Sequence, residues 1–263
     1  MNCSHIVAVY FSPTHTSRRI AREVARGTGL DLLEEIDLTC DAGCDPIVLP
    51  QDALILLAAP VYGGRVAPTA LERLARLRGQ GQTAVAVVVY GNRDYEDALL
   101  ELSDRAKDWG LTPVAAGAFI GEHSYSRPSL PVAEGRPDED DLKQCRDFAA
   151  AVMEKLHCCG TLEQACDFPV KGSRPYKALK TSTPQAPITL PEKCLRCGSC
   201  LKRCPTQAIF WATDGSIDTD KGRCIKCCAC MKDCPAQARV FDTPFSEFLH
   251  THFSARRELE FFL

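Results

Sequence analysis

Cysteines at a repeated spacing dominate the carboxyl-terminal third of this sequence. The 263-residue chain has sixteen cysteines, and nine of them lie between Cys194 and Cys234. Eight of the nine form two copies of the pattern Cys-x2-Cys-x2-Cys-x3-Cys-Pro, offset by thirty positions: Cys194, Cys197, Cys200 and Cys204, then Cys224, Cys227, Cys230 and Cys234. The short, regular spacing favours a metal site over a disulfide framework, and any fold must bring these thiols together.

The spacing within each copy suits a cubane of iron and sulfide. Two intervening residues allow a tight loop to point three thiolates at one face of such a cluster, so the fourth ligand must come from elsewhere. The proline after the fourth cysteine, Pro205 or Pro235, fixes φ and lacks an N–H, which turns the chain away at that point. The pattern therefore predicts a 4Fe-4S site that is completed by a distant thiolate.

This stretch, residues 188–241, resembles the bacterial two-cluster 4Fe-4S ferredoxins. The resemblance implies that the two copies exchange their fourth cysteines. One cluster would be held by Cys194, Cys197, Cys200 and Cys234, and the other by Cys224, Cys227, Cys230 and Cys204. The ninth cysteine, Cys228, aligns with Gly198, and we expect it to be a buried neighbour of the cluster and not a ligand.

Structural zinc is the alternative for these cysteines, because paired Cys-x2-Cys hooks also bind zinc in tetrahedral sites. Such sites usually join two hooks of two cysteines each. Each copy here has three evenly spaced thiols and a Cys-Pro, and this arrangement favours the cluster.

The first 157 residues alternate short apolar runs with helix-like stretches, which is typical of a parallel sheet covered on both faces. The predicted strands are residues 6–11, 30–38, 53–61, 83–90 and 111–119, and the predicted helices are 17–26, 68–77, 96–109 and 139–156. We expect an α/β fold with a doubly wound, parallel, five-stranded sheet in residues 1–157, followed by a small α+β domain in residues 188–243.

Two segments flank the small domain. Residues 158–187 contain four prolines and lack periodicity. They are predicted to form a linker, and a solvated loop packed on the first domain is the alternative. Residues 244–263 place several aromatic side chains on one face of a possible helix, so we expect a docking helix and tail there.

The loop after the first predicted strand is rich in hydroxyl groups, and its residues are Ser12, Pro13, Thr14, His15, Thr16 and Ser17. Hydroxyls at a helix start coincide with free backbone N–H groups, and together they form a nest for an anion such as phosphate. Capping of the helix by the same hydroxyls is the alternative. The Gly-Lys signature of nucleotide triphosphate loops is not present in the sequence.

Two further loops follow predicted strands, so they lie at the carboxyl edge where open parallel sheets bind ligands. Glycines in these loops let the backbone approach a flat ring, and Tyr62 or Tyr95 could stack on that ring. The first loop comprises Pro60, Val61, Tyr62, Gly63, Gly64 and Arg65, and the second comprises Tyr90, Gly91, Asn92, Arg93, Asp94 and Tyr95.

Strand order, hydroxyl loop and glycine–tyrosine loops together resemble a flavodoxin-type domain over residues 1–157, and the resemblance implies FMN as the ligand. It assigns the hydroxyls of Ser12, Thr14, Thr16 and Ser17 to the FMN phosphate. The Tyr62–Gly63 peptide would face the flavin N5 edge, and residues 92–95 would lie against the other side of the ring. His15 stands where flavodoxins commonly have glycine, so a positive φ at this position would be costly.

Charge and hydropathy exclude two classes of partner. The chain has 31 basic and 34 acidic residues, for a formal charge of −3, and offers no basic face for nucleic acid. The longest apolar run, residues 53–61, is far short of the ~20 residues that span a bilayer. We therefore expect a cytoplasmic protein with neither a nucleic-acid nor a membrane partner.

A flavodoxin-like domain fused to a two-cluster ferredoxin domain resembles the flavoferredoxins, over nearly the whole chain. The resemblance implies an electron carrier that passes electrons between two 4Fe-4S clusters, FMN and redox partner proteins. Clusters pass one electron at a time and FMN holds one or two, so the pair can store, split or merge electrons. The alternatives are an FMN-dependent reductase of a small substrate, fed through the clusters, and a redox sensor.

Overall fold

The structure is a computed structural model that describes residues 3–179 and 183–263. Its strands are β1 (His5–Tyr10), β2 (Asp31–Asp37), β3 (Ile47–Val48), β4 (Ala53–Tyr62), β5 (Arg65–Val66), β6 (Leu77–Arg78), β7 (Thr83–Tyr90), β8 (Thr112–Ile120), β9 (Ile188–Thr189), β10 (Ile209–Trp211), β11 (Ile217–Thr219), β12 (Arg239–Val240) and β13 (Glu260–Phe262). Its helices are α1 (Thr16–Gly27), α2 (Pro68–Leu74), α3 (Ala98–Asp108), α4 (Glu139–Cys158), α5 (Leu162–Cys166), α6 (Ser199–Arg203), α7 (Ala229–Lys232) and α8 (Pro244–Phe253).

The central sheet has the order β2-β1-β4-β7-β8, and all neighbours in this run are parallel. Numbered along the chain, these five strands follow the order 2-1-3-4-5, which is the flavodoxin-like doubly wound arrangement. The predicted α/β fold class is therefore confirmed. The loops after β1, β4, β7 and β8 all meet at the carboxyl edge of this sheet.

Apolar composition explains why these strands occupy the centre. Every residue of β7 is buried, and so are the first seven residues of β4. Helices cover both faces: α1 packs against α4, and α3 packs against β7 and β8. The close approach of α1 and α4 depends on Gly27, because a Cβ there would lie 2.6 Å from the backbone of Arg146.

The chain returns to the central sheet at its carboxyl end, which the sequence did not predict. Strand β13 pairs antiparallel with β8, with Phe261 opposite Gly117. The ring of Phe261 stacks on Phe148 with the centroids 4.9 Å apart, and it lies 5.3 Å from Phe119. The expected helix in the tail is present as α8, but the segment after it adds a sixth, antiparallel strand to the five parallel ones.

Two predicted helices are too long. The predicted helix 68–77 ends at Leu74, because Leu77 pairs with Ile47 in the short β3–β6 ladder. The predicted helix 96–109 begins at Ala98, and Glu96 has a left-handed φ of 43° before it. In both cases non-helical residues occupy one end of the predicted helix, where the apolar pattern alone would continue the helix.

The small domain repeats one unit twice. Helices α6 and α7 begin at equivalent positions of the two copies, directly after Gly198 and Cys228. Both of these residues are left-handed, with φ of 72° and 59°. Strands β10 and β11 pair with each other, and β9 pairs with β12, so each ladder joins a strand next to the first copy to a strand next to the second.

Residues 173–177 of the segment 158–187 contact the first domain. The Asp97 carboxylate accepts hydrogen bonds from the backbone N–H groups of Ser173 and Lys177, and Arg174 pairs with Asp104 on α3 at 2.6 Å. Residues 180–182 of the predicted linker lie outside the described residues. Among the described helices, none combines the length and the apolar character needed to cross a membrane.

Candidate functional site

Four cysteines line one cavity in the small domain. They are Cys194, Cys197 and Cys200 from the first copy and Cys234 from the second. Ile217 and Arg239 are also part of the wall. This is the thiol set that the ferredoxin resemblance implies for the first cluster, including the cysteine exchanged from the other copy.

The second thiol set has Cys204 of the first copy as an electrostatic neighbour. Burial raises the pKa of Cys227 far above its ordinary value, and the neighbouring thiols of Cys230, Cys204 and Cys224 raise it further. Burial also raises the pKa of Cys230 to about 11, with Cys224 and Cys204 again among the neighbours that contribute. Cys204 of the first copy therefore lies among the three thiols of the second.

These thiols are the donor set that an iron–sulfur cluster requires, because thiolates are its ligands and metal binding displaces their protons. Within residues 3–179 and 183–263, His, Cys, Asp and Glu side chains do not form a group of three arranged for a single metal ion. Instead, the four thiols of the first set are distributed around a cavity, which is the arrangement that a cluster requires.

Backbone amides donate to the exchanged cysteines in both copies. The Ala208 N–H lies 3.2 Å from Cys204 Sγ, and the equivalent Ala238 N–H lies 3.3 Å from Cys234 Sγ. Amide hydrogen bonds to ligand sulfur tune the reduction potential of a cluster. The repeat of alanine four residues after each fourth cysteine is the sequence signal for this pair.

Residues of the hydroxyl loop between β1 and α1 have different roles. Ser12 Oγ accepts from the Arg18 N–H at 2.9 Å, and the Ser12 N–H donates to Thr39 Oγ1 at 2.8 Å, so Ser12 stabilises the loop itself. His15 precedes α1 in the left-handed region without capping the helix through its side chain. The Arg18 N–H in the first turn of α1 is thus bonded to Ser12, and an anion at this helix start would be held by the N–H groups before Arg18.

An open cavity of about 440 Å³ adjoins this loop, and Thr14, His15 and Thr16 form part of its wall. Ser17 is buried on the inner face of α1 and does not line the cavity. The remaining wall is mainly cationic: Arg18, Arg19, Arg22, Arg26, Arg136 and Lys232, with Glu23, Glu122 and Pro137. The chemistry of this cavity suits a phosphate group.

The loop after β4 faces the cysteines. Gly63 and Gly64 both have positive φ, of 64° and 85°. Burial raises the pKa of Tyr62 well above its ordinary value, and the Cys227 and Cys228 thiols are the next largest causes. The end of β4 therefore lies near the second thiol set, and Pro60 and Val61 are half-buried there.

The loop after β7 is engaged by the carboxyl-terminal tail. Asn92 is buried, and its Nδ2 donates to the carbonyl oxygens of Phe253 and Ala255 at 2.6 and 2.8 Å. Tyr95 is fully buried, with its hydroxyl 2.7 Å from Glu260 and the Lys171 ammonium over its ring. Tyr95 thus presents no open face for stacking, whereas Tyr62 stays half-buried.

The other predicted residues of this loop are also placed. Arg93 pairs with Glu96 at 2.7 Å, and Asp94 lies 3.6 Å from Arg257. Gly91 packs so closely on the His123 ring that a Cβ there would lie 2.4 Å from it. Among the described residues, the buried Asn92 Oδ1 and Tyr90 hydroxyl have no hydrogen-bond partner, which leaves polar atoms for a ligand at this edge.

The contacts that join the two domains were not predicted. His15 meets Asp233 and Arg203, which directly precede the two fourth cysteines. Arg73 on α2 reaches the Pro205 carbonyl oxygen at 2.5 Å. A histidine at a position that favours glycine was the one sequence signal for this interface.

Residues 187–210 match the family model of the 4Fe-4S binding domain. With the strand order of the first domain, this match decides the organisation of the chain. The chain joins a flavodoxin-like domain to a 4Fe-4S ferredoxin domain. The matched residues cover all four cysteines of the first copy, and the second copy lies beyond them.

Solved structures show the similarity of the first domain at low sequence identity. A flavodoxin from the domain Archaea is 13% identical, with a TM-score of 0.38, over 58% of this chain and 99% of that one. A Megasphaera elsdenii flavodoxin is 19% identical, with a TM-score of 0.35, over 56% and 98%. A rubredoxin oxygen:oxidoreductase from Desulfovibrio gigas is 15% identical, with a TM-score of 0.41, over 60% of this chain and only 38% of its own. No curated protein matches the sequence.

Proposed function

We propose that the protein is an electron carrier that holds two 4Fe-4S clusters and FMN and passes electrons between them and redox partner proteins. The observation that carries the proposal is the cavity lined by Cys194, Cys197, Cys200 and Cys234. Three thiols from one copy and one from the other are the ligand exchange of a two-cluster ferredoxin.

The reciprocal set supports the second cluster. Cys204 raises the pKa of Cys224 and Cys227 together with burial, so these thiols are close neighbours. When bound, the clusters supply one-electron steps and FMN supplies one- or two-electron steps. The chain's own contribution is to hold eight thiolates and position them against the flavin loop.

Arg239 acts on both thiol sets. Its side chain is buried, lines the cavity of the first set, and places Nη2 3.9 Å from Cys230 Sγ of the second. A buried cation stabilises the more negative, reduced form of a neighbouring centre. In the proposed function, Arg239 therefore raises the potentials of both clusters.

The position of Tyr62 supports electron exchange with a flavin. It ends β4 at the carboxyl edge of the sheet and lies near Cys227 and Cys228. Tyr125 points to the same thiols from the loop after β8, since Cys228, Cys224 and Cys227 follow burial as the causes that raise its pKa. A flavin bound at this edge would lie beside the second thiol set.

The proposal is tested with protein purified without oxygen and reduced with dithionite. We expect rapid re-oxidation by a ferredoxin-type carrier protein and slow re-oxidation by small quinones, free flavins and metal chelates. Multiple turnovers with one of the small acceptors would contradict the carrier and support a reductase.

A further inference from the structure

We propose that His15 is a positioning residue that ties the phosphate loop to both ligand-bearing loops of the ferredoxin domain and so fixes the separation of flavin and clusters. The inference rests on the proposed function, since it concerns the path between those centres. It assigns a role to a residue that the phosphate loop itself would not require.

The backbone of His15 is the first observation. Its φ of 66° lies in the left-handed region, which favours glycine. Its side chain does not cap α1, so the helix gains nothing from the imidazole. A histidine at such a position is retained for what its side chain contacts elsewhere.

The imidazole contacts the other domain through both ring nitrogens. Nε2 lies 3.1 Å from each carboxylate oxygen of Asp233, and Arg203 Nη2 lies 2.7 Å from Nε2 and 3.1 Å from Nδ1. Arg203 Nε in turn donates to Asp233 at 2.8 Å. The three side chains thus form one cluster across the boundary between the domains.

The two partners occupy equivalent positions in the cysteine repeat. Arg203 directly precedes Cys204, and Asp233 directly precedes Cys234. Because the copies exchange these cysteines, each partner is joined to a different thiol set. The His15 side chain therefore contacts the residue before each of the two exchanged cysteines.

Other contacts join the domains through residues outside the phosphate loop. Arg127 pairs with Asp242 at 2.8 Å, and Lys232 pairs with Glu122 at 2.6 Å. The Arg73 bond to Pro205 lies on α2. The interface between the domains therefore persists without His15. Removal of the His15 side chain releases only the phosphate loop from the two ligand-bearing loops.

The consequence concerns electron transfer between the domains. In the measured step one electron leaves a reduced cluster and enters the flavin, so the cluster is oxidised as the flavin is reduced and takes a proton from water. The rate of this step falls steeply as the distance between the centres grows. A loosened phosphate loop therefore slows it.

The decisive variant is His15→Gly, since glycine keeps the left-handed backbone and removes the imidazole. In photoreduced holoprotein we expect transfer between cluster and flavin to slow about tenfold, because small losses of positioning carry costs of this order. Amide hydrogen exchange of residues 12–17 should become faster in the same sample. His15→Asn, which also tolerates this backbone conformation, is the second variant and should behave alike.

The control is Arg127→Ala, which removes an interdomain ion pair that does not touch the phosphate loop. It should transfer electrons at the wild-type rate. Wild-type rates and wild-type exchange in both His15 variants would overturn the inference. Wild-type protein that lacks flavin or clusters would instead overturn the proposed function, and the composition of each sample is measured first to separate the two results.

Discussion

The guanidinium of Arg73 donates a hydrogen bond from Nη2 to the carbonyl oxygen of Pro205, across the boundary between the two domains. Its other nitrogen, Nη1, donates to the carbonyl oxygens of Leu38 and Thr39. The residue is 7% exposed. One buried side chain thus connects the end of β2 to the proline that turns the first ligand loop.

Replacing this side chain should destabilise the protein. Arg73→Ala leaves three carbonyl oxygens without their donor, and we expect a loss of about 2–3 kcal/mol in the free energy of unfolding. Arg105→Ala is the matched control, because its pair with Asp108 is exposed and should contribute less than about 1 kcal/mol. Urea unfolding without oxygen measures both, and equal effects of the two variants would contradict the role of Arg73.

Stability should fall below neutral pH through His123. Burial lowers the pKa of its imidazole to about 4, helped by the nearby Lys232 and Arg93 charges. Its Nδ1 accepts a hydrogen bond from the Tyr125 N–H at 3.0 Å, which protonation would break. The unfolded chain binds this proton more readily, so the contribution is complete above about pH 6.5 and is lost as the pH falls towards 4.

The expected loss from His123 is about 2 kcal/mol between pH 7.5 and pH 5. His123→Asn keeps an acceptor for the Tyr125 N–H and has no proton to bind. The pH dependence of its unfolding free energy should be shallower than that of the wild type by this amount. Parallel curves for the two proteins would show that the imidazole does not titrate as described.

FMN binding should depend on the hydroxyls that line the basic cavity. Thr14→Ala combined with Thr16→Ala removes two donors from its wall, and we expect the dissociation constant for FMN to rise roughly 100-fold, since hydrogen bonds to charged groups are strong. Thr28→Ala, at the other end of α1, is the control and should bind as the wild type does. Fluorescence titration of flavin-free protein measures all three, and unchanged affinity in the double variant would place the phosphate elsewhere.

The carboxyl-terminal strand should stabilise the first domain. Phe261→Ala removes a ring that packs on Phe148 and Phe119, and we expect a loss of about 2 kcal/mol. Leu263 is 44% exposed, so Leu263→Ala should change stability by less than about 0.5 kcal/mol. Thermal unfolding compares them, and a wild-type midpoint for Phe261→Ala would mean that β13 contributes little.

The sequence predicted the parts of the fold that rest on local patterns. The continuous apolar runs of β4 and β7 identify strands covered on both faces, and the cysteine spacing identifies the duplicated unit, because both signals are complete within a few residues. Strand β13 was missed because three residues are too few to show an alternating apolar pattern. Its pairing with β8 also joins segments that are far apart in the sequence.

The interface shows the same limit. Arg73, Asp233 and Arg203 are ordinary charged residues in sequence, and only the docking of the two domains gives them partners. His15 was noticed as a departure from glycine, but its reason lies 188 and 218 positions away along the chain. The tail residues that contact Asn92 and Tyr95 lie 161 to 165 positions away along the chain. The sequence therefore gave no sign that Tyr95 is buried under the tail.

The most direct test of the account is the iron and acid-labile sulfide content of protein purified without oxygen. We expect about eight irons and eight sulfides per chain, and about four of each in Cys234→Ala, because only the set shared with Cys194, Cys197 and Cys200 loses a ligand. Zinc without acid-labile sulfide in the wild-type protein would contradict the two-cluster account.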